Sequence, residues 1–305
     1  MVDESTTSSQ SSTLVICIRA SVDGQLLSFF LDLVEVKSTS SENILTAMLN
    51  KLGELSMDNA WLQDHLICFV SDGASNMTGK NSGVARRLQD LFPNIILWHC
   101  ANHRLELAVG DAIKDADGIN NFRVFMDKLF TLYHASPKNR YELQDCAKDL
   151  EQQVFTIGRV LDTRWVSSSM RTVEAVLKNL PSLVAHFTAA KEDPSRKSVD
   201  RATYKGLFNH ITSPKFIANI CLMSDALAPL AELSRALQHR NNNAVTALKL
   251  IRTKVALFRQ MKSGTASTLY VRKRLSNLPV ARIPTSLSLE THPCKQYRHS
   301  NSTKV

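Results

Sequence analysis

The chain has 305 residues, 44% of them apolar and 21% charged. This is the balance of a globular protein with one or two domains and enough length to bury a core. Its net charge of +9 is uneven: residues 1–239 hold 24 Lys+Arg against 27 Asp+Glu, whereas residues 240–305 hold 13 against Glu290 alone. An acidic, hydroxyl-rich start argues against a secretory signal, and no run reaches the roughly 18–20 apolar residues expected of a membrane span. The six cysteines lack the spacing of a disulfide framework and read as reduced thiols of cytosol or nucleus.

In chain order, Thr13–Ala20 and Gln25–Val36 are β-rich runs. Ser21-Val22-Asp23-Gly24 between them carries a turn signal, so a hairpin is predicted. Ser40 or Ser41 can N-cap a helix to about Gly53, with Ile44, Leu45, Met48, Leu49 and Leu52 on one face. Leu66–Val70 is a short apolar strand ending at Ser71-Asp72-Gly73. Gly83–Phe92 reads as a helix with Val84, Leu88 and Leu91 inward, and Pro93-Asn94 breaks it. Ile95–Trp98 is a second buried strand, and Arg104–Ile113 a helix with Leu105, Leu107, Ala108 and Ala112 available for packing.

From about Asn120 the pattern is mostly helical. Phe122–Tyr133 and Arg140–Glu151 are helices, Thr156–Val160 is a candidate final strand, and Val166–Leu180 is a long helix stopped by Pro181. Residues 182–262 read as all-α, broken at Lys191–Ser198 and Ser213-Pro214. Residues 279–305, with three Pro and many Ser and Thr, show no periodicity and are predicted to be disordered.

The most informative stretch is Leu66–Gly79, LICFVSDGASNMTG. A carboxylate at the tip of a strand, followed by a Gly turn, stands where α/β sheets place their chemistry. Asp3 opens the chain as a second carboxylate. The hairpin–helix–strand–helix–strand–helix order predicts an α/β mixed sheet with flanking helices, the layout of an RNase H-like core. In that layout the first strand lies beside the one ending at Asp72.

Asp3-Glu4-Ser5-Thr6-Thr7, FLDLVEV at 30–36, SDGASNMTGKNSGVARRL at 71–88, WHCANHRLELAV at 98–109 and DTRW at 162–165 resemble hAT-superfamily DNA transposases. The similarity is greatest to host-domesticated vertebrate copies, including the group of E3 SUMO-protein ligases, and covers about residues 1–260. The ordered set is specific, whereas each motif alone is common. The resemblance implies an RNase H-like core over 1–165 with a truncated first strand, a helical insertion domain over 166–278 and a disordered basic tail over 279–305. It makes Asp3 and Asp72 the first two acids of the transposase DDE triad, holding Mg or Mn if the site works. It makes Cys100 and His103 the C-x-x-H motif near the active site, and Arg164 and Trp165 the motif that handles the DNA end.

The chain also departs from this family. The BED-type zinc finger and the C-terminal dimerisation segment have no counterpart. The third acid, a Glu expected after the insertion, has no match either, since Glu290 is the only carboxylate after Glu232. A fragment or truncated domesticated copy is therefore expected, nuclear in location, with the scaffold of a phosphoryl-transfer site rather than its activity. Two metals about 3.5–4 Å apart need more carboxylate oxygens than two Asp supply.

Other motifs carry less. His65-x-x-Cys68 with Cys100-x-x-His103 has zinc half-site spacing, against which stands the common role of buried Cys as a small hydrophobe. The polar loop Ser71–Gly83 lacks the order of a phosphate-binding loop. Ala244–Met261 predicts an amphipathic helix with Val245, Leu248, Ile251, Val255 and Phe258 on one face. Its Lys249, Arg252, Lys254, Arg259 and Lys262 suit DNA phosphates or an acidic partner, or form a solvated face. Arg272-Lys273-Arg274 adds a basic cluster compatible with nuclear import and nucleic-acid contact. A SUMO ligase would need SUMO-binding strands. Leu14–Ile18 and Leu31–Val36 look similar but are expected inside the sheet, and no RING-type Cys/His array is present.

Overall fold

The computed structural model describes residues 2–6, 12–114, 119–161, 164–239 and 242–263, with the backbone alone at 2–6 and 119–120. The protein is mixed α/β and mostly helical, with few strands. In chain order the elements are β1 (Val2–Thr6), β2 (Ser12–Val22), β3 (Gln25–Val36), α1 (Ser41–Glu54), α2 (Asn59–His65), β4 (Cys68–Ser71), α3 (Ser75–Thr78), α4 (Val84–Leu91), β5 (Ile96–His99) and α5 (Ala101–Lys114). Then come α6 (Ile119–His134), α7 (Pro137–Asp149), α8 (Trp165–Glu192), α9 (Ser198–Ile211), α10 (Pro214–Leu237) and α11 (Ala244–Lys262). Arg272–Arg274 and residues 279–305 lie outside the described residues.

The hairpin forms as read. Asp23 and Gly24 both take positive φ, 51° and 75°, the left-handed pair that lets a two-residue loop follow the strand twist. β1, β2 and β3 make an antiparallel sheet in that order, with Asp3 opposite Val15 and a bulge between Ile16 and Cys17. β4 and β5 pair in parallel, Ser71 opposite His99. Cα atoms of β1 and β4 approach within 8 Å, so the strand of Asp3 runs beside the strand that leads to Asp72.

The chain divides into two compact units. One comprises Met1–Met126, Val160–Ser169 and Pro229–Lys254, and the other Asp127–Arg159, Met170–Ala228 and Val255–Val305. The first unit is built on a core in which Leu14 and Ile16 of β2 meet Ile44 and Met48 of α1, Phe69 of β4 and Leu88 of α4. Ser40 Oγ accepts from Asn43 N and caps α1, and Asp58 Oδ1 accepts from Trp61 N at 2.8 Å, capping α2, a helix absent from the sequence reading.

Several expectations are corrected. β4 and β5 are not buried throughout: Cys68 is exposed, Ile96 is 55% exposed and Trp98 49%, and Ile67 just before β4 is 71% exposed. Leu91 and Leu107 also face outward, and no residue of α5 is buried. Thr156–Val160 forms no strand, and α8 side chains bond to the backbone within it and just before it. Asn179 accepts from Phe155 N at 2.9 Å and donates to Phe155 O at 2.6 Å, and Thr172 Oγ1 donates to Gly158 O at 3.0 Å.

Pro181 does not stop α8, which runs 28 residues through it. Leu180 and Leu183 on either side are both fully buried, so packing outweighs the lost hydrogen bond. α10 is long and apolar enough by length and composition to cross a membrane, with a mean hydropathy of 1.4 over its best window, a test that the core helix of a folded domain also passes. Its Phe216, Ile217, Ile220, Cys221, Ser224 and Leu227 are buried along one face, the pattern of a core helix. Cys17, Cys68, Cys100, Cys146 and Cys221 are thiols outside any disulfide.

Candidate functional site

β4 delivers Asp72 to the end of the parallel pair. Ser71 is buried, and its carbonyl accepts from Cys100 N at 2.9 Å, extending the β4–β5 pairing by one bond and fixing where both chains leave the strands. Asp72 is half-buried. Its Oδ1 accepts from Ala74 N at 3.1 Å, which turns the chain into α3 and commits one of its two carboxylate oxygens. Thr78 Oγ1 donates to the carbonyls of Gly73 and Ala74 at 3.3 and 3.2 Å and holds the turn from its far side.

Gly73 is required by close approach. A Cβ there would lie 2.5 Å from His99 Nε2 and 2.8 Å from His103 Cδ2. The two imidazoles, with ring centroids 5.4 Å apart, therefore wall the turn beside Asp72. His99 Nε2 is shielded and has no protein hydrogen-bond partner. Burial, then the charges of His103 and Arg104, push His99 below the ordinary imidazole range, while Asp72 opposes the shift. His99 is a residue the sequence reading passed over, although its i,i+4 spacing from His103 was visible in WHCANH.

The C-x-x-H pair sits at the β5–α5 junction, with Cys100 half-buried and His103 against Gly73. His65 and Cys68 do not join it. His65 stacks on Trp61 with centroids 4.2 Å apart and bonds the Trp61 carbonyl, and Cys68 is exposed. Among the described residues no three His, Cys, Asp or Glu converge as metal ligands, so the zinc arrangement does not form. For Mg or Mn the fit is partial. Asp72 offers one uncommitted oxygen, and hard cations demand several.

Arg164 is exposed, and its carbonyl accepts from Ser168 Oγ at 2.7 Å. Trp165 is only 5% exposed, so its ring serves the core rather than a free surface. Glu106 Oε2 accepts from Val166 N at 3.0 Å, placing a carboxylate from α5 on the N-terminus of α8, where the helix dipole favours it. The motif helix of Cys100 and His103 thus anchors the Arg164-Trp165 turn, a role for Glu106 that no local pattern reveals.

The second unit holds a buried polar network. Tyr133 Oη and His186 Nδ1 are 2.9 Å apart, and His186 Nε2 lies 3.0 Å from Glu142 Oε2. Glu142 also pairs with Arg196. Arg196 donates to Tyr204 Oη at 3.2 Å, and Tyr204 Oη donates to Asn139 Oδ1 at 2.8 Å. With Glu142 ionised, Nε2 carries the proton and Nδ1 accepts from Tyr133. Burial drives His186 down against the pull of Glu142. Burial also pushes Glu142 up, but the His186 hydrogen bond and Arg196 outweigh it, and its net shift is downward. Tyr133 stands well above the usual phenol range through burial and the charges of Tyr204, Cys146 and Glu142. These bonds tie α6, α7, α8 and α9 together inside the unit, and the buried Arg196 Nε, 3.4 Å from Asp193, is the one atom of the network without a hydrogen bond.

The basic residues assigned to nucleic acid are mostly solvent-facing. Lys249, Arg252, Arg259 and Lys262 are exposed on α11, whereas Lys254 pairs with Glu232 at 2.5 Å. The chain matches no protein-family model.

Proposed function

We propose that this is a transposase-derived protein with an RNase H-like scaffold, nuclear in location, that acts by binding nucleic acid or protein rather than by cutting DNA. The observation that carries the reading is the approach of β1 to β4, which puts the strand bearing Asp3 beside the strand that ends at Asp72. The antiparallel order β1-β2-β3 and the parallel pair β4-β5 fit the same layout. Asp72 at a strand tip, with Cys100 and His103 on the neighbouring strand's exit, supports descent from a two-metal phosphoryl-transfer site.

Incompleteness is supported by the chemistry of the donors. Asp72 spends one oxygen on its own turn, which leaves fewer for the several that a hard cation demands. Lys and Arg concentrated after residue 239 favour a polyanion. The SUMO-ligase alternative rests on resemblance alone, and Leu14 and Ile16, in one of its two candidate SUMO-binding segments, are buried in a strand paired on both sides.

The test is a nicking and strand-transfer assay on labelled duplex with Mg²⁺ or Mn²⁺, comparing wild type with Asp72→Ala. No product above the metal-free control is expected from either protein. A product that disappears with Asp72→Ala would show an active nuclease instead. A reconstituted SUMO conjugation assay, with no rate gain expected, separates the ligase reading.

A further inference from the structure

α11 carries a surface that neither a buried helix nor a plain phosphate-binding helix needs. Its side toward the protein is formed by Ala247, Leu250, Lys254, Leu257, Phe258 and Met261, all partly covered. Of the apolar face read from the sequence, only Phe258 is partly covered: Val245 is 80% exposed, Leu248 48%, Ile251 37% and Val255 43%. Leu248, Ile251 and Val255 follow the i, i+3, i+7 spacing of a coiled-coil seam. Arg252 and Arg259, each four residues after a seam position, lie along one edge of it, and the helix contains five Lys and Arg with no acid.

We propose that this outer face of α11 docks an acidic amphipathic helix of a partner protein. Aliphatic side chains of that helix would cover Leu248, Ile251 and Val255, while carboxylates seven residues apart would meet Arg252 and Arg259. Charge complementarity selects this occupant. A nucleic-acid backbone would satisfy the arginines but leave the aliphatic seam in water. A membrane surface favours a wide apolar face with aromatic anchors and cations at its margins, whereas this seam is narrow, aliphatic and interleaved with arginine. A second copy of α11 would set like charges along the seam. The inference deepens the protein-binding arm of the proposed function and does not depend on whether Asp72 cleaves DNA.

The test uses the full chain and a fluorescent synthetic helix with Leu and Ile at its seam positions and Glu at the flanking ones, followed by anisotropy. The like charges of such a peptide disfavour its self-association. Binding is expected, with at least a tenfold loss when the flanking Glu are replaced by Lys. A comparable loss is expected in Arg252→Glu/Arg259→Glu, a smaller one in Leu248→Ala, and none in Arg140→Glu on α7. Competing duplex DNA or phosphatidylserine vesicles should displace the peptide only weakly. Equal binding of the Glu and Lys peptides, indifference to the double arginine reversal, or preferential Leu248-dependent capture of vesicles would overturn the proposal. Because the peptide comparison uses only wild-type protein, a variant that failed to fold would not remove the test.

Discussion

Glu142→Ala is the most informative perturbation of the helical unit. Glu142 accepts from His186 at 3.0 Å and pairs with Arg196, whose side chains are only 2% and 10% exposed. Removing the carboxylate leaves the imidazole N–H buried without its acceptor and the guanidinium with only Asp193 and Tyr204 beside it. Breaking a fully buried pair costs about 3–5 kcal/mol. Glu142 keeps 29% exposure, so water recovers part of that and about 2–3 kcal/mol is expected. In thermal unfolding this is a drop of roughly 5–10 °C. Glu142→Gln keeps an acceptor for His186 and loses only the charge facing Arg196, so about half the effect is expected. A Glu142→Ala midpoint within about 1 °C of wild type would refute the reasoning, because the network would then carry no net energy.

Four further outcomes follow. His186 resists protonation when folded, so the unfolded chain binds the extra proton as pH falls below about 6.5. Stability should therefore fall between pH 7 and 5.5, and less steeply in His186→Asn, as read by thermal melts across that window; equal slopes would contradict the assignment. Gly73→Ala drives a methyl into His99 and His103 and should cost about 1–3 kcal/mol, measured by chemical denaturation. Asn179→Ala removes both bonds to Phe155 and should cost about 1–3 kcal/mol, with faster hydrogen exchange over 153–158. Glu106→Ala uncaps α8 and should cost about 1 kcal/mol, with Glu106→Gln intermediate, read as unfolding midpoints.

The parts of the fold legible in the sequence are those whose signals are local. Asp23-Gly24 specifies a two-residue turn through its backbone conformation, and Ser40 with the Ile44, Leu45, Met48 and Leu52 stripe specifies α1. Asp72 was legible as a strand-tip carboxylate because an apolar run stops there. What the sequence hid is decided by partners distant along the chain. Thr156–Val160 has strand composition, but Asn179 and Thr172 of α8 bond to the backbone within it and just before it. Pro181 reads as a stop, yet packing carries the helix past it. α11 has two apolar stripes, and periodicity alone could not say which one the protein covers. His99 and Glu106 act through Gly73 and Val166, and the six-residue network around Glu142 joins four helices and a loop, which no spacing rule encodes.

The central claim is that Asp72 marks an inherited phosphoryl-transfer scaffold that no longer cuts. A single gel series most directly tests it: labelled duplex incubated with the full chain in Mn²⁺, at graded salt, and run both native and denaturing. The account expects full-length strands in every denaturing lane, with any native-gel shift weakening as salt rises. Shorter strands that require Mn²⁺ and vanish with Asp72→Ala would contradict it.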